Sequence, residues 1–368
     1  MLKKVRQVCL LSVIAVVCAP AGSLSAADAE LAVISPDLLR HAGLRIVWEK
    51  KVPIKQGEQL EALDFIAARL YAISDNNYVT SLDRQTGRIV FARSVAARGI
   101  PIPDLRLHDN QLLGAYGRSF FSVDPETGKT DERHNVEYSI VAPPARNESY
   151  LYISGSDNRL HVLTADRRVE VTAVAAEDSS RISSILADNR SVVFATDSGR
   201  LVSMDPQGRN RLWGFDVRRA IIDPIVRDNQ SLYFVAEDMY IYRLDTPNDA
   251  SVALAWKYQV PGFPVGTPRV TSSAVYQVVR GKGVVAVDKN SGRMLWRLPE
   301  GAEFMADGNG RAYVFTHDNT LAVMHNATGR KLYEVNFAPV SITAPNLASQ
   351  MIYVANESGW VLCLAPAG

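Results

Sequence analysis

The sequence contains little cysteine and no excess of charge of either sign, and both absences limit the classes of function that it can have. Only three of the 368 residues are cysteine, and two of these, Cys9 and Cys18, lie in an apolar segment near the N-terminus. Without that segment, Cys363 is the single thiol and no internal disulfide can form. The 40 Lys and Arg residues nearly match the 39 Asp and Glu residues. The composition therefore gives no reason to expect nucleic acid or an anionic membrane as the main partner.

The patterns of enzymatic and metal sites are also missing. No Ser lies within Gly-x-Ser-x-Gly, and Gly281-Lys282-Gly283 lacks the rest of a phosphate-binding loop, so we interpret it as a hairpin turn. The six histidines form neither a helical i, i+4 pair nor a Cys/His cluster, and we expect surface or turn positions for them: His41, His108, His134, His161, His317 and His325. We predict no catalytic residue, cofactor or metal.

Residues 1–27 have the composition of a secretory signal peptide. A basic start at Lys3, Lys4 and Arg6 precedes an apolar run at 8–21, which is short for a membrane span, and small residues follow it. We therefore expect export to the periplasm, with residues 28–43 as a lead-in to the folded domain. Cys18 follows Val17 instead of a small residue, so the sequence does not predict a lipid anchor.

A repeat organises the rest of the chain. Stretches such as Val284–Gly292, with Trp296 after them, recur with an Asp-x-x-Thr-Gly core, and the aligned positions are 83, 124, 164, 205, 245, 288, 325 and 364. Alternating apolar residues with turn signals between them predict short strands. Four strands in about 40 residues is the size of a propeller blade. We predict an all-β, eight-bladed propeller of four-stranded antiparallel blades over residues 44–368.

The repeated residues have structural explanations. The Asp carboxylate can accept N–H bonds within the turn, and Gly can take the positive φ that reverses the chain. We assign this turn role to Asp83, Asp124, Asp205, Asp245 and Asp288. An aromatic residue follows the turn and is expected to be buried against the neighbouring blade, at Phe91, Trp213, Trp296 and Tyr333.

The two ends of the repeat predict how the ring closes. The eighth unit has three strands and lacks the final aromatic strand, whereas residues 44–52 are an unpartnered strand that contains Trp48. Pairing the first strand with the last blade removes two exposed sheet edges. We therefore predict that residues 44–52 complete the blade that contains Trp360 and Cys363.

These stretches resemble the PQQ-like propeller repeat, whose pattern is Ala-x-Asp-x-x-Thr-Gly-x-x-x-Trp. Ala286 to Trp296 matches it with Ser291 in place of Thr, and Ser81 to Phe91 matches it in part. An exported chain of eight such blades is similar to the BamB family of outer-membrane β-barrel assembly factors. The resemblance implies a monomeric, non-enzymatic periplasmic scaffold whose partners are the assembly machinery or nascent outer-membrane proteins. A general envelope-protein or polymer-binding module and a PQQ-dependent dehydrogenase are the alternatives.

Candidate binding residues lie in the connections between blades. The Arg-rich turn at Arg218 and Arg219, with Phe215 beside it, and Phe263 in the connection 260–265 are our candidates for partner binding. Solvated charge is the competing interpretation of the arginines. Capping of the core is the competing interpretation of three apolar or Pro-rich connections, at 100–103, 260–265 and 337–340.

Overall fold

The computed structural model describes residues 33–96, 105–108, 111–131, 133–166, 168–176 and 178–367. The predicted signal peptide at 1–27 and the connection at 100–103 lie outside these residues. The described chain has one short helix, α1 (Pro36–His41), and 32 strands in eight four-stranded antiparallel sheets. No helix in these ranges has the length and hydrophobicity needed to cross a bilayer.

The first four blades run in chain order, and each uses four consecutive strands. Blade 1 consists of β2 (Leu60–Ile66), β3 (Arg69–Ser74), β4 (Tyr78–Asp83) and β5 (Ile89–Ser94). Blade 2 consists of β6 (Arg106–His108), β7 (Gln111–Tyr116), β8 (Ser119–Val123) and β9 (His134–Asn135). Blade 3 consists of β10 (Ala145–Arg146), β11 (Tyr150–Ser154), β12 (Arg159–Thr164) and β13 (Glu170–Ala175). Blade 4 consists of β14 (Ile182–Ala187), β15 (Val192–Thr196), β16 (Arg200–Met204) and β17 (Arg211–Asp216).

The next three blades follow the same order, and the last one differs. Blade 5 consists of β18 (Val226–Asp228), β19 (Ser231–Ala236), β20 (Tyr240–Asn248) and β21 (Ser251–Gln259). Blade 6 consists of β22 (Pro264–Val270), β23 (Ala274–Val279), β24 (Gly283–Asp288) and β25 (Met294–Leu298). Blade 7 consists of β26 (Gly301–Gly308), β27 (Arg311–Thr316), β28 (Thr320–His325) and β29 (Lys331–Asn336). Blade 8 consists of β30 (Ile342–Ala344), β31 (Ile352–Ala355), β32 (Trp360–Pro366) and β1 (Leu44–Lys51).

The predicted closure of the ring is confirmed. Strand β1 pairs antiparallel with β32, from Leu44 opposite Pro366 to Lys51 opposite Trp360. Trp48 pairs with Cys363 just as Trp296 pairs with Ala286. This register corrects the predicted repeat alignment: the eighth position is Ala365 and not residue 364, because it lies two residues after Cys363 as Asp288 lies two after Ala286.

Hydrophobic packing occurs mainly at the seams between neighbouring blades. Within the described residues the core divides into eight apolar clusters, and each cluster joins two adjacent blades. The cluster between blades 7 and 8 also contains Ile34, Leu39 and Ala42 from the lead-in, packed with Val335 of β29. Because each blade is a thin sheet, burial of both its faces depends on the two neighbours, and the closed ring supplies them.

The repeated turn and the repeated aromatic residue form one contact across the seam. The indole N–H of Trp48 donates to the carbonyl of Arg84 in the next turn at 3.0 Å. Gly87 of that turn has φ +68°, and a Cβ there would lie 2.7 Å from the indole ring. Glycine is therefore required both for the conformation and for the approach of the ring. Trp256 and Trp296 make the same bond to Lys289 and Asn326, at 2.9 and 2.8 Å.

Two predictions about repeated residues are wrong. Tyr333 occupies the aromatic position of blade 7 but is 44% exposed. The fourth strand of blade 8 is β1, so no turn joins it to β32, and the ring of Tyr333 has no such turn to pack on. Asp245 does not serve a turn: it lies inside the long strand β20, where it accepts from the hydroxyl of Ser231 at 2.7 Å.

Candidate protein-binding site

The antiparallel blades divide the loops between two faces of the ring. We call the side with the second-to-third-strand turns and the blade-to-blade connections the connection face. The first-to-second and third-to-fourth turns lie on the opposite side, the turn face. The predicted residues Arg218, Arg219 and Phe263 all lie in connections, and with the turn at Glu237–Met239 they line one open depression of about 810 Å³ on the connection face.

The connection that carries the arginines is fixed by its backbone. Val217 N–H donates to the carbonyl of Gly199 at 2.8 Å, and Glu237 N–H donates to Ala220 at 2.9 Å. Gly199 has φ +93°, and a Cβ there would lie 2.5 Å from the carbonyl oxygen of Arg219. The glycine thus allows the two chain segments to touch. Backbone bonds on both sides hold Arg218 and Arg219 at the depression.

The depression is lined by two arginines and two carboxylates, and the described residues show no ion pair between them. Both arginine side chains are exposed, and neither forms an ion pair with a described carboxylate. Asp238 accepts a hydrogen bond from the hydroxyl of Tyr242 at 2.5 Å through one oxygen, while its other oxygen, Oδ1, is buried without a hydrogen-bond partner in the described part of the chain. Burial, followed by the hydrogen bond to Asp238, raises the pKa of Tyr242, so this hydroxyl remains a donor at neutral pH.

Phe263 lines this depression, and two further exposed apolar side chains, Ile222 and Val265, lie in the same two chain segments as Arg219 and Phe263. Phe263 and Ile222 are each 53% exposed, and Val265 is 39% exposed. A hydrogen bond from the backbone of Gly266 to Asp223 connects the two loops that carry them, and burial raises the pKa of Asp223. Exposed apolar groups beside unpaired arginines are a combination found at protein-binding surfaces.

The structure brings three of the four predicted binding residues together and separates the fourth. Phe215 is not in the depression: it is partly buried in the cluster between blades 4 and 5, where it packs edge-on against Tyr242. Val260, Phe337 and Val340 are buried, which confirms core capping for those connections, whereas Phe263 points outward. The lining groups missed by the sequence prediction are Glu237, Asp238, Met239, Tyr240 and Gln259.

Four of the five repeat carboxylates have the turn role that the sequence predicted, and Asp245 does not. Asp288 accepts from the hydroxyl and the N–H of Ser291, both at 2.7 Å, and these bonds hold its pKa below the usual range. The same geometry lowers the pKa of Asp83 and Asp124, and that of Asp205 through bonds from Arg209 and Asn210. In the described ranges, no three His, Cys, Asp or Glu side chains are arranged to hold a metal ion.

One histidine departs from the predicted surface position. His161 is buried between two carboxylates, with Nδ1 2.9 Å from Glu170 and Nε2 3.1 Å from Asp157. Its ring also stacks on Tyr138 with centroids 3.6 Å apart. The prediction failed because the partners of His161 come from the β11–β12 turn, which carries Asp157, and from β13, which carries Glu170, and the repeat pattern does not reveal these contacts.

Comparison with known proteins places this architecture in a family. The family model described as outer membrane protein assembly factor BamB matches residues 40–215 and 280–366. The crystal structure of BamB from Moraxella catarrhalis superposes with a TM-score of 0.65 at 16% identity, covering 88% of this chain and 97% of that one. A computationally designed protein, Ika8, gives a TM-score of 0.65 at 14% identity, covering 85% and 98%. No curated protein sequence is significantly similar to the chain.

Proposed function

Because the chain belongs to the family of the outer membrane protein assembly factor BamB, we propose that it is a non-enzymatic periplasmic scaffold that assists assembly of outer-membrane β-barrel proteins. The observation that carries the binding role is the depression on the connection face, which Arg218, Arg219 and Phe263 line together with Asp238, whose Oδ1 is buried and has no hydrogen-bond partner among the described residues. Arginine and aromatic side chains supply much of the binding energy at protein interfaces.

The mechanism is presentation of a prearranged surface. The backbone bonds of Gly199 and Ala220 fix the loop of Arg218 and Arg219 before any partner arrives. A rigid loop loses little conformational entropy on binding, so more of the contact energy remains as affinity. The arginines suit acidic groups of a partner, Phe263 suits an apolar pocket, and Asp238 Oδ1 suits a donated N–H.

Charge reversal at the depression tests the proposal. Affinity capture from bacterial membranes with the mature protein is expected to recover a component of the barrel-assembly machinery, and the double variant Arg218→Glu/Arg219→Glu is expected to weaken that binding about tenfold or more. The matched control is Arg88→Glu/Arg330→Glu, which makes the same charge change at exposed residues of turn-face loops. Equal recovery by both variants would contradict the assigned site. Recovery of no assembly component, together with normal porin levels in a deletion strain, would contradict the function.

The alternatives have separate readouts. Recovery of envelope polymer or unrelated envelope proteins, with no assembly component, would indicate a general interaction module. Tight binding of PQQ with Ca²⁺, and dye reduction on addition of an alcohol, would indicate a dehydrogenase, because that chemistry belongs to the cofactor. We expect neither, since the repeat carboxylates Asp83, Asp124, Asp205 and Asp288 already accept turn hydrogen bonds.

A further inference from the structure

A buried tyrosine recurs at one register position in the second strand of six blades. Each of these residues pairs with the residue that lies two before the turn position, and each is at most 1% exposed: Tyr71, Tyr152, Tyr233, Tyr276, Tyr313 and Tyr353. A buried hydroxyl needs a hydrogen-bond partner. Three of them find it on the first residue of the next blade's third-to-fourth turn, with bonds of 2.7 Å to Pro206, 3.3 Å to Arg84 and 2.9 Å to Asn326.

The seam between blades 7 and 8 lacks that acceptor. The β32–β1 ladder continues to Pro366 opposite Leu44, so the chain remains extended where other blades form the turn. The hydroxyl of Tyr313 is fully buried, and no oxygen of the described residues accepts its proton. It borders a cavity of about 530 Å³ on the turn face, which we call the blade 7–8 pocket and which Asn309, Arg311 and Gln350 also line.

The polar groups of this pocket are matched to an oxygen acceptor. Arg311 lies beside Tyr313, but a guanidinium has only donors and cannot accept the phenolic proton. No carboxylate of the described residues forms an ion pair with Arg311. Burial raises the pKa of Tyr313, so the phenol remains protonated at neutral pH. The exposed ring of Tyr333 in the same blade also lacks the turn that its counterparts contact.

We propose that the blade 7–8 pocket binds an acidic tight turn of a partner protein, whose carboxylate or carbonyl oxygen accepts from Tyr313 and pairs with Arg311. A tight turn that begins with Asp fills the equivalent position at three other seams, those that receive the turns of Asp83, Asp124 and Asp288. The pocket volume lies within the roughly 300–1,000 Å³ of ligand sites. The pocket lies on the turn face, so it is independent of the depression proposed for the connection face.

Peptide binding to the mature protein tests this inference. The probe is a cyclised peptide with the sequence Asp124–Gly128 of this chain, which carries two carboxylates and no basic residue, and the comparison peptide carries Asn in place of its Asp. Calorimetry is expected to show binding of the acidic peptide, with the Asn peptide and the variants Tyr313→Phe and Arg311→Gln each weaker by about tenfold or more. The matched control is Tyr233→Phe, since Tyr233 also lacks a hydroxyl partner but faces a complete turn.

Three outcomes would overturn the inference: no binding at millimolar peptide, equal binding by Tyr313→Phe and the control, or acetate binding as tightly as the peptide. The last would show a site for small carboxylates. A second measurement does not depend on the peptide. Tyr313→Phe removes an unsatisfied hydroxyl and is expected to keep or raise the melting temperature, whereas Tyr152→Phe removes a bonded one and is expected to lower it. Equal lowering by both would show that Tyr313 is already satisfied.

Discussion

At the residue scale, the indole rings explain why the repeat ends in a large aromatic residue. Trp296 is 5% exposed and packs on Gly329 of the next turn, while its N–H donates to Asn326. One side chain thus contributes buried apolar area and satisfies a buried donor across the seam. Tyr333 holds the same register position without a turn to contact, so it serves as an internal comparison for the contribution of Trp296.

Trp296→Ala is expected to lower the free energy of unfolding by about 3–5 kcal/mol, because it leaves a cavity at the seam and an unpaired carbonyl. Tyr333→Ala is expected to cost under about 1 kcal/mol, since much of its ring is already in water. Urea denaturation followed by circular dichroism measures both. A loss below about 1 kcal/mol for Trp296→Ala would show that the ring is not locked between blades.

At the scale of the element, the carboxylates in the third-to-fourth-strand turns make the folding stability depend on pH. Hydrogen bonds from Ser291 hold the pKa of Asp288 below that of the unfolded chain. A carboxylate with a lowered folded pKa stabilises the fold above its unfolded pKa, near 4, and that contribution is lost as the pH falls further. Four turns share this behaviour, those of Asp83, Asp124, Asp205 and Asp288.

The urea midpoint of the unaltered protein is therefore expected to decrease when the pH is lowered from 5 to 3. The midpoint of Asp288→Asn is expected to decrease less, because the amide oxygen cannot be protonated in this range. Asp318→Asn is the control, since Asp318 is exposed in a hairpin turn and its carboxylate makes no hydrogen bond in the described part of the chain. If Asp288→Asn and Asp318→Asn showed the same pH dependence as the unaltered protein, the turn carboxylates would not be the cause.

The sequence predicted these elements unevenly, for physical reasons. Strands and turns followed from local alternation and from the Asp-x-x-Thr-Gly spacing, which depend on adjacent residues. Asp245 was misassigned because the β20–β21 hairpin is longer than the others, and Trp256 falls 11 residues after it, where Trp296 falls eight after Asp288. The burial of His161 depends on carboxylates of a turn and of the neighbouring strand. Periodicity does not reveal such contacts.

At the scale of the whole molecule, the period of the repeat and the unpartnered first strand were enough to predict eight blades and their closure. The candidate site was predicted only in part. Arg218 and Phe263 stood out because they lie in connections between blades, whereas Asp238 and Tyr240 join them because the β19–β20 hairpin of blade 5 turns on the same face. The blade 7–8 pocket results from the way the ring closes. The fourth strand of blade 8 is β1, from the other end of the chain, so blade 8 has no third-to-fourth-strand turn to fill this seam.

The most direct test of ring closure uses the thiol of Cys363 in the protein without residues 1–27. Cys363 is fully buried opposite Trp48, and burial raises its pKa to about 12, so both access and ionisation limit its reaction. Alkylation at pH 8 is expected to require global unfolding in the intact chain. Deletion of residues 28–53 is expected to make it rapid and to cause association through the open edges. A deletion variant that stays monomeric, keeps the same melting temperature and protects the thiol would contradict closure by β1.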